Sequence, residues 1–142
     1  LFLGGYCRSN DLEWMNTNKI SHVLDIGDTS TLRHISIEKK TIYINDDESV
    51  DISIYFDECS NYIEKVLANG CKILVHCEMG YSRSPTIVIA YMLSKLKWPL
   101  DYAIKFIKRD RDICPNKGFM KRLENYEGEC EAMNYMKELF EQ

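Results

Sequence analysis

The residues best suited to chemistry in this chain lie between His76 and Pro85, where the sequence reads HCEMGYSRSP. A thiol, Cys77, is followed six positions later by a guanidinium, Arg83. A cysteine attacks an electrophile only as its thiolate, which requires hydrogen-bond donors and positive charge around the sulfur. Arg83 offers a planar set of donors that matches two oxygens of a phosphate group. The spacing therefore predicts a nucleophile beside a bound phosphate.

A strand, a loop and a helix must position these groups. Residues 72–76 are mostly apolar and β-prone, which predicts a strand buried on both faces of a parallel sheet. Gly80 allows a left-handed backbone, and Ser84-Pro85 favours the start of a helix. The loop would then curl around the helix N-terminus, where amides and the helix dipole bind an anion and the Ser84 hydroxyl supports the thiolate. The predicted phosphate-binding residues are Glu78, Met79, Gly80, Tyr81, Ser82 and Arg83.

Composition indicates one globular domain. The chain has 142 residues, 45% of them hydrophobic, and a formal net charge of -4, which argues against binding nucleic acid. No apolar run approaches the roughly 20 residues that cross a bilayer. The six cysteines contain no CxxC pair, so we expect reduced thiols in an intracellular protein of the cytoplasm or nucleus. Because the chain starts at Leu1 without a methionine, we expect a domain of a longer protein.

Strand and helix patterns alternate along the chain, which predicts an α/β fold with a central, mostly parallel sheet flanked by helices and right-handed crossovers. Neither His22 nor His34 has other metal-ligand residues at a suitable spacing in the sequence. We therefore expect each of them to be structural or solvent-exposed. The predicted strands are 1–5, 22–26, 41–44 and 72–76, and the predicted helices are 11–17, 53–69, 84–97, 100–111 and about 119–140 with an interruption at Gly128.

A second catalytic group is required because phosphate ester cleavage is slow unless the leaving oxygen is protonated, which is worth about 10²–10⁴-fold. Acidic residues follow the predicted strand 41–44, at the edge where ligands bind in open α/β sheets. From the residues alone each remains a candidate, as does a plain solvated acidic turn. The cluster is Asp46, Asp47, Glu48 and Asp51.

The segment from His76 to Thr86 resembles the HCxxGxSRS(P/A)T signature of the dual-specificity phosphatases, within the cysteine-dependent protein tyrosine phosphatase superfamily. Residues 2–4 and 20–24 are similar to the family's N-terminal strands. Residues 115–119 are similar to its PNxGF motif, although Arg122 stands where glutamine is usual. The resemblance covers essentially the whole chain and implies a single catalytic domain over residues 1–142.

The resemblance also implies roles for individual residues. Counting back from the Tyr55-Phe56 pair selects Asp46 as the general acid, with Asp47 as the adjacent alternative. His76 would support the cysteine through its hydrogen bonding, and Asn116 would brace the loop. No metal or organic cofactor is implied.

The implied activity is hydrolysis of phosphate esters on tyrosine, serine and threonine of phosphorylated proteins, through a phosphocysteine intermediate. Glu78 and Tyr81 within the loop disfavour a polyanionic head group. Two alternatives remain: a pseudophosphatase that binds phosphopeptides without turnover, and a phosphatase for a non-protein ester. The oligomeric state is left open.

Two further groups of residues have more than one interpretation. Cys71 or Cys114 could form a disulfide with an oxidised Cys77, although an ordinary buried cysteine is the simpler interpretation. A basic cluster could form a docking surface for acidic partners or a solvated helix face, and it comprises Lys105, Lys108, Arg109 and Arg111.

Overall fold

The structure is a computed structural model and describes residues 1–27 and 36–141. Four parallel strands form its centre. Their order across the sheet is β1-β4-β2-β3. All four residues of the central β4 are buried, as its continuous apolar run predicts for a strand covered on both faces. The predicted parallel sheet is confirmed. The strands are β1 (Phe2–Gly4), β2 (His22–Ile26), β3 (Glu38–Ile42) and β4 (Ile73–His76).

Helices cover the sheet, and the most buried of them follows β4 directly. Ten of the twelve residues of this helix, α4, are buried, because it packs against the sheet and against α3, α5 and α6. In the described ranges, no helix combines the length and apolarity that crossing a membrane requires. The helices are α1 (Tyr6–Ser9), α2 (Leu12–Thr17), α3 (Phe56–Ala68), α4 (Arg83–Ser94), α5 (Leu100–Lys108) and α6 (Lys117–Phe140).

The structure corrects the boundaries of several predicted elements. The helices predicted at 84–97 and 100–111 end at Ser94 and Lys108, and the helix predicted at 53–69 is α-helical over Phe56–Ala68. The strand placed at 41–44 lies at Glu38–Ile42, because the ladder with β2 ends where Ile26 pairs with Ile42. The final helix is not interrupted at Gly128, which lies on its exposed surface and meets nothing that would break it. It begins at Lys117, where the Asn116 side chain caps it by accepting a hydrogen bond from the Phe119 amide.

Two local elements were not predicted from the sequence, namely α1 and a 3₁₀ turn (Ile52–Tyr55) that leads into α3. Asp51 caps this turn through its carboxylate. The expectation for His34 lies outside the described residues.

Replacing Ile89, which is fully buried on α4, tests the role of this helix in the core. We expect Ile89→Ala to lower the free energy of unfolding by about 2–5 kcal/mol, because truncation removes packed apolar surface and leaves a cavity. Ile54→Ala is the matched control, since Ile54 is 68% exposed, and it should change that free energy by less than about 0.5 kcal/mol. Urea denaturation measures both; equal losses would contradict the packing.

Candidate active site

The Cys77 sulfur lies just beyond the C-terminal end of β4, in a nearly closed setting with 2% of the residue exposed. The Gly80 amide donates a hydrogen bond to Sγ at 3.2 Å, and the Ser84 hydroxyl lies 3.1 Å from it. Gly80 has a φ of +67°, the left-handed conformation predicted for it. Two donors therefore face the sulfur, one from the loop and one from the first turn of α4.

The backbone carbonyls of the phosphate loop, residues 77–83, are held outward by hydrogen bonds. A planar trans peptide points its C=O and the following N–H in opposite directions, so each held carbonyl turns an N–H toward the inside of the loop. The six donors are His76 Nδ1 to the carbonyl of Cys77, Tyr6 N to Glu78, Arg111 Nη2 to Met79, Arg111 Nε to Gly80, Cys114 N to Tyr81, and Thr86 N to Ser82.

The amides of residues 78–83 consequently converge on one side, as the sequence predicted for a phosphate site. The bonds to these six carbonyls measure 2.8–3.2 Å, which is ordinary hydrogen-bond geometry. That phosphate occupies the loop stays a prediction.

Arg111 is a site residue that the sequence analysis missed. It was assigned to a docking surface or a solvated helix face, whereas its Nε and Nη2 atoms donate to the carbonyls of Gly80 and Met79, each at 3.0 Å. The side chain reaches the loop from just beyond α5, 28 positions after Arg83 in the sequence. No local pattern around Arg111 signals this contact.

The Arg83 guanidinium is fixed across the opening between two loops. Nη1 donates to the Ile44 carbonyl at 3.0 Å, and Nη2 lies 3.9 Å from the Glu78 carboxylate. The side chain is 11% exposed. Gly27 lies at the same Nη1 end, where an added Cβ would overlap the guanidinium. A planar group held in this way keeps a constant orientation toward a bound oxyanion.

Asn116 connects the phosphate loop with the acidic segment. Its backbone amide donates to the Ser82 hydroxyl at 3.0 Å, and its side-chain amide donates to the Asp46 carboxylate at 2.8 Å. At the next turn, Gly118 lies so close to the Glu48 backbone that any side chain would overlap it. The structure thus brings Asp46 and the loop to one site, as the sequence predicted, and Asn116 forms the link.

The other acidic candidates have local partners. Asp47 accepts hydrogen bonds from the backbone and side chain of Ser49, which close a local turn and lower the pKa of Asp47. Asp51 caps the 3₁₀ turn and pairs with Arg122 at 3.3 Å. These contacts favour Asp46 over Asp47 as the proton donor, an assignment that stays a prediction.

His76 lies fully buried behind the cysteine. Its Nδ1 donates to the Cys77 carbonyl at 3.2 Å, and its Nε2 lies 3.8 Å from the Asp25 carboxylate on β2, directly opposite in the ladder. Lys39 approaches the same carboxylate at 3.4 Å. Burial lowers the pKa of His76, and the charge of Asp25 opposes that shift. His76 thus contacts the start of the loop, and its supporting role stays a prediction.

Comparison with known proteins identifies the family. The family model described as "Dual specificity phosphatase, catalytic domain" matches residues 1–129. Protein phosphatase Slingshot of Drosophila melanogaster is 34% identical over 143 residues, which is 98% of this chain and 14% of that protein. Dual specificity protein phosphatase 1B of Arabidopsis thaliana is 33% identical over 129 residues, covering 89% of this chain and 77% of that protein.

A solved structure supports the same assignment. The crystal structure of DUSP15 is similar with a TM-score of 0.84 and 33% identity, covering 88% of this chain and 81% of that one. Fold and site together define a protein phosphatase domain with a cysteine nucleophile. The chain belongs to the dual-specificity phosphatase family, and it spans only about a seventh of Slingshot.

Removing the Arg111 guanidinium tests whether it holds the loop. Arg111→Met keeps an unbranched aliphatic stem but loses both bonds to the loop carbonyls, each worth about 1.5–3 kcal/mol when made by a charged donor. We expect kcat/KM for a small aryl phosphate to fall about 10–100-fold and the inhibition constant of inorganic phosphate to rise. Arg109→Met is the matched control, because Arg109 is exposed and stacks on Phe106. Equal activity of the two variants would contradict the assignment.

Proposed function

We propose that this domain hydrolyses phosphate monoesters on tyrosine, serine and threonine side chains of proteins through a phosphocysteine intermediate. The observation that carries the proposal is the set of six inward-facing amides around Cys77, with Arg83 fixed across the opening. A phosphate ester bound in the loop would receive hydrogen bonds on each of the three phosphoryl oxygens that stay attached to phosphorus during transfer. Such preorganised donors are commonly the largest single source of catalysis.

In the first step the Cys77 thiolate attacks phosphorus, and the bond from phosphorus to the ester oxygen breaks. The amides of residues 78–83 and the Arg83 guanidinium bind the three oxygens that carry charge in the transition state. Asp46 donates its proton to the departing oxygen, so the leaving group is a neutral alcohol or phenol. Asn116 keeps the carboxyl group of Asp46 oriented through the bond at 2.8 Å.

In the second step water attacks the phosphocysteine. Asp46, now ionised, takes a proton from this water, the sulfur–phosphorus bond breaks, and inorganic phosphate leaves. The Ser84 hydroxyl, 3.1 Å from Sγ, stabilises the returning thiolate together with the Gly80 amide. The cycle ends with Cys77 ionised and Asp46 protonated, as it began.

Charges around the opening support a phosphoprotein substrate over a polyanionic small molecule. Exposed carboxylates surround the site, and they would repel additional phosphate groups. A non-catalytic phosphopeptide-binding module is the weaker candidate, because Cys77, Arg83 and Asp46 are all present in the chain. The carboxylates are those of Asp46, Asp47, Glu48 and Glu78.

We also propose a role in intracellular signalling, in the cytoplasm or nucleus. Phosphorylated proteins are the substrates implied by the named protein phosphatases among the relatives. The six free cysteines support a reducing compartment.

Replacing the nucleophile tests the reaction. We expect Cys77→Ser to lower turnover of an aryl phosphate by roughly 10³-fold or more, because a hydroxyl in this setting ionises far less readily than a thiol. Cys7→Ser is the matched control, since Cys7 is exposed on α1. Acid-quenched intact protein should carry one phosphoryl group on wild type and none on Cys77→Ser. Unchanged turnover in Cys77→Ser would refute the proposal.

Replacing the two neighbouring aspartates tests the choice of acid. We expect Asp46→Asn to slow the first step about 10²–10⁴-fold for alkyl or phenyl phosphates, and much less for esters with good leaving groups, which need no proton. Asp47→Asn should weaken the Ser49 turn without this dependence on the leaving group. Rates over a series of aryl phosphates measure the difference. If Asp47→Asn gave the steeper dependence, the assignment would be off by one residue.

A further inference from the structure

A groove runs along the side of the candidate active site between the segment after β3 and the 3₁₀ turn. Its volume is about 660 Å³. Both apolar and polar groups form its walls, and one end lies at Gly27, which contacts the Arg83 side chain. The walls include Tyr43, Ile44, Val50, Ile54, Tyr55 and, at that end, Gly27.

The groove shares a wall with the phosphate site. Ile44 lines the groove, and its carbonyl accepts the hydrogen bond from Arg83 Nη1 at 3.0 Å. Gly27 also lines the groove, and it lies against the same guanidinium with no space for a side chain. The backbone of these two residues therefore separates the groove from Arg83, so the groove lies directly beside the group that would bind phosphate.

The groove carries exposed apolar surface and little uncompensated charge. Tyr43 is 74% exposed and Ile54 is 68% exposed, although both lie beside buried core residues. The carboxylate in the wall belongs to Asp51, which accepts hydrogen bonds from Ser53 and pairs with Arg122 at 3.3 Å. Exposed apolar side chains gathered beside a ligand site are characteristic of a binding surface.

We propose that this groove binds an apolar side chain of the substrate that lies within about three residues of the phosphorylated one. This inference rests on the proposed function and adds a sequence preference to it. An extended peptide advances about 3.3 Å per residue, so a neighbouring side chain reaches the groove while the phosphate lies in the loop. The exposed carboxylates of Asp46, Asp47 and Glu48 at the rim would disfavour acidic neighbours.

Continuity with the phosphate site favours a substrate segment over a second copy of this chain. Stable dimers bury about 800 Å² on each partner. The two strongly exposed apolar side chains in this groove form a much smaller patch.

The experiment uses phosphotyrosine peptides in which a single leucine is moved through the neighbouring positions of an otherwise alanine-flanked sequence. For each peptide we compare kcat/KM with wild type, and affinity for Cys77→Ser by fluorescence anisotropy. At the favoured position the leucine peptide should exceed the alanine peptide by about 5–30-fold in kcat/KM. A glutamate at that position should reduce kcat/KM below the alanine value.

The groove variant is the double replacement Tyr43→Ser with Ile54→Ser. The ratio of leucine to alanine peptide should fall to within about twofold in this variant. A matched double variant, Tyr135→Ser with Leu139→Ser on α6, removes an exposed tyrosine and an exposed leucine that are 63% and 50% exposed, and it should keep the wild-type ratio. Because the ratio is taken within each protein, a general loss of activity cancels.

The outcomes separate this inference from the proposed function. The groove proposal is refuted if the wild type hydrolyses all peptides equally, or if the groove variant keeps the leucine preference. Either result leaves the proposed phosphatase activity unaffected. A wild type that hydrolyses no phosphate ester overturns the proposed function. In that case the ratio of the affinities for the leucine and alanine peptides, measured by anisotropy, still tests the groove proposal. A leucine preference that is lost in the groove variant supports the proposal, and equal affinities for the two peptides refute it.

Discussion

Six consecutive peptide groups with their N–H bonds on one side create a concentration of partial positive charge that would be unfavourable without an anion. A free loop would relax by turning some carbonyls inward. In this domain each carbonyl from Cys77 to Ser82 has a donor on the outer side, drawn from α1, α4, the segment after α5, and His76. A hydrogen bond contributes about 1 kcal/mol on average, so the set together can keep the loop ready for an anion before substrate arrives.

The core of the fold exists to keep those donors in place. β4 and α4 flank the loop on either side, and both are almost completely buried. Because closely packed interiors change shape little, the distance from the end of the strand to the start of the helix is constrained. This constraint also limits the positions of three groups that lie within eight residues of one another: the Cys77 sulfur, the Gly80 amide and the Ser84 hydroxyl.

Positioning of the acid follows another principle, because Asp46 lies in an exposed turn. The N-terminus of α6 fixes this turn: Asn116 contacts both Ser82 and Asp46, and Gly118 packs against the Glu48 backbone. One capping residue, Asn116, therefore connects the phosphate loop with Asp46, the predicted proton donor. The start of the final helix thus helps to position the candidate site.

The strand–loop–helix unit around Cys77 was predictable from the sequence because its determinants are local. An apolar run, a glycine that adopts a positive φ and a Ser-Pro helix start all act within 15 residues of one another. The parallel sheet was predictable for the same reason, since alternating strands and helices permit few topologies. The limits of β3 could not be predicted, because the apolar run of the sequence continues to Ile44 whereas the ladder with β2 ends at Ile42. The Ile44 carbonyl accepts a hydrogen bond from Arg83 instead.

Tertiary structure alone decided which distant residues complete the site. No sequence pattern distinguishes Arg111 from the neighbouring basic residues. Its hydrogen bonds to two loop carbonyls depend on how α5 packs against α4. The hydrogen bonds from Ser49 to Asp47 and from Ser53 to Asp51 are local, whereas the contacts of Asp46 with Asn116 and of Asp51 with Arg122 form only when the turn packs against the start of α6. Local sequence determines backbone conformation through short-range sterics, whereas contacts across 31 to 70 positions depend on the packing of the whole domain.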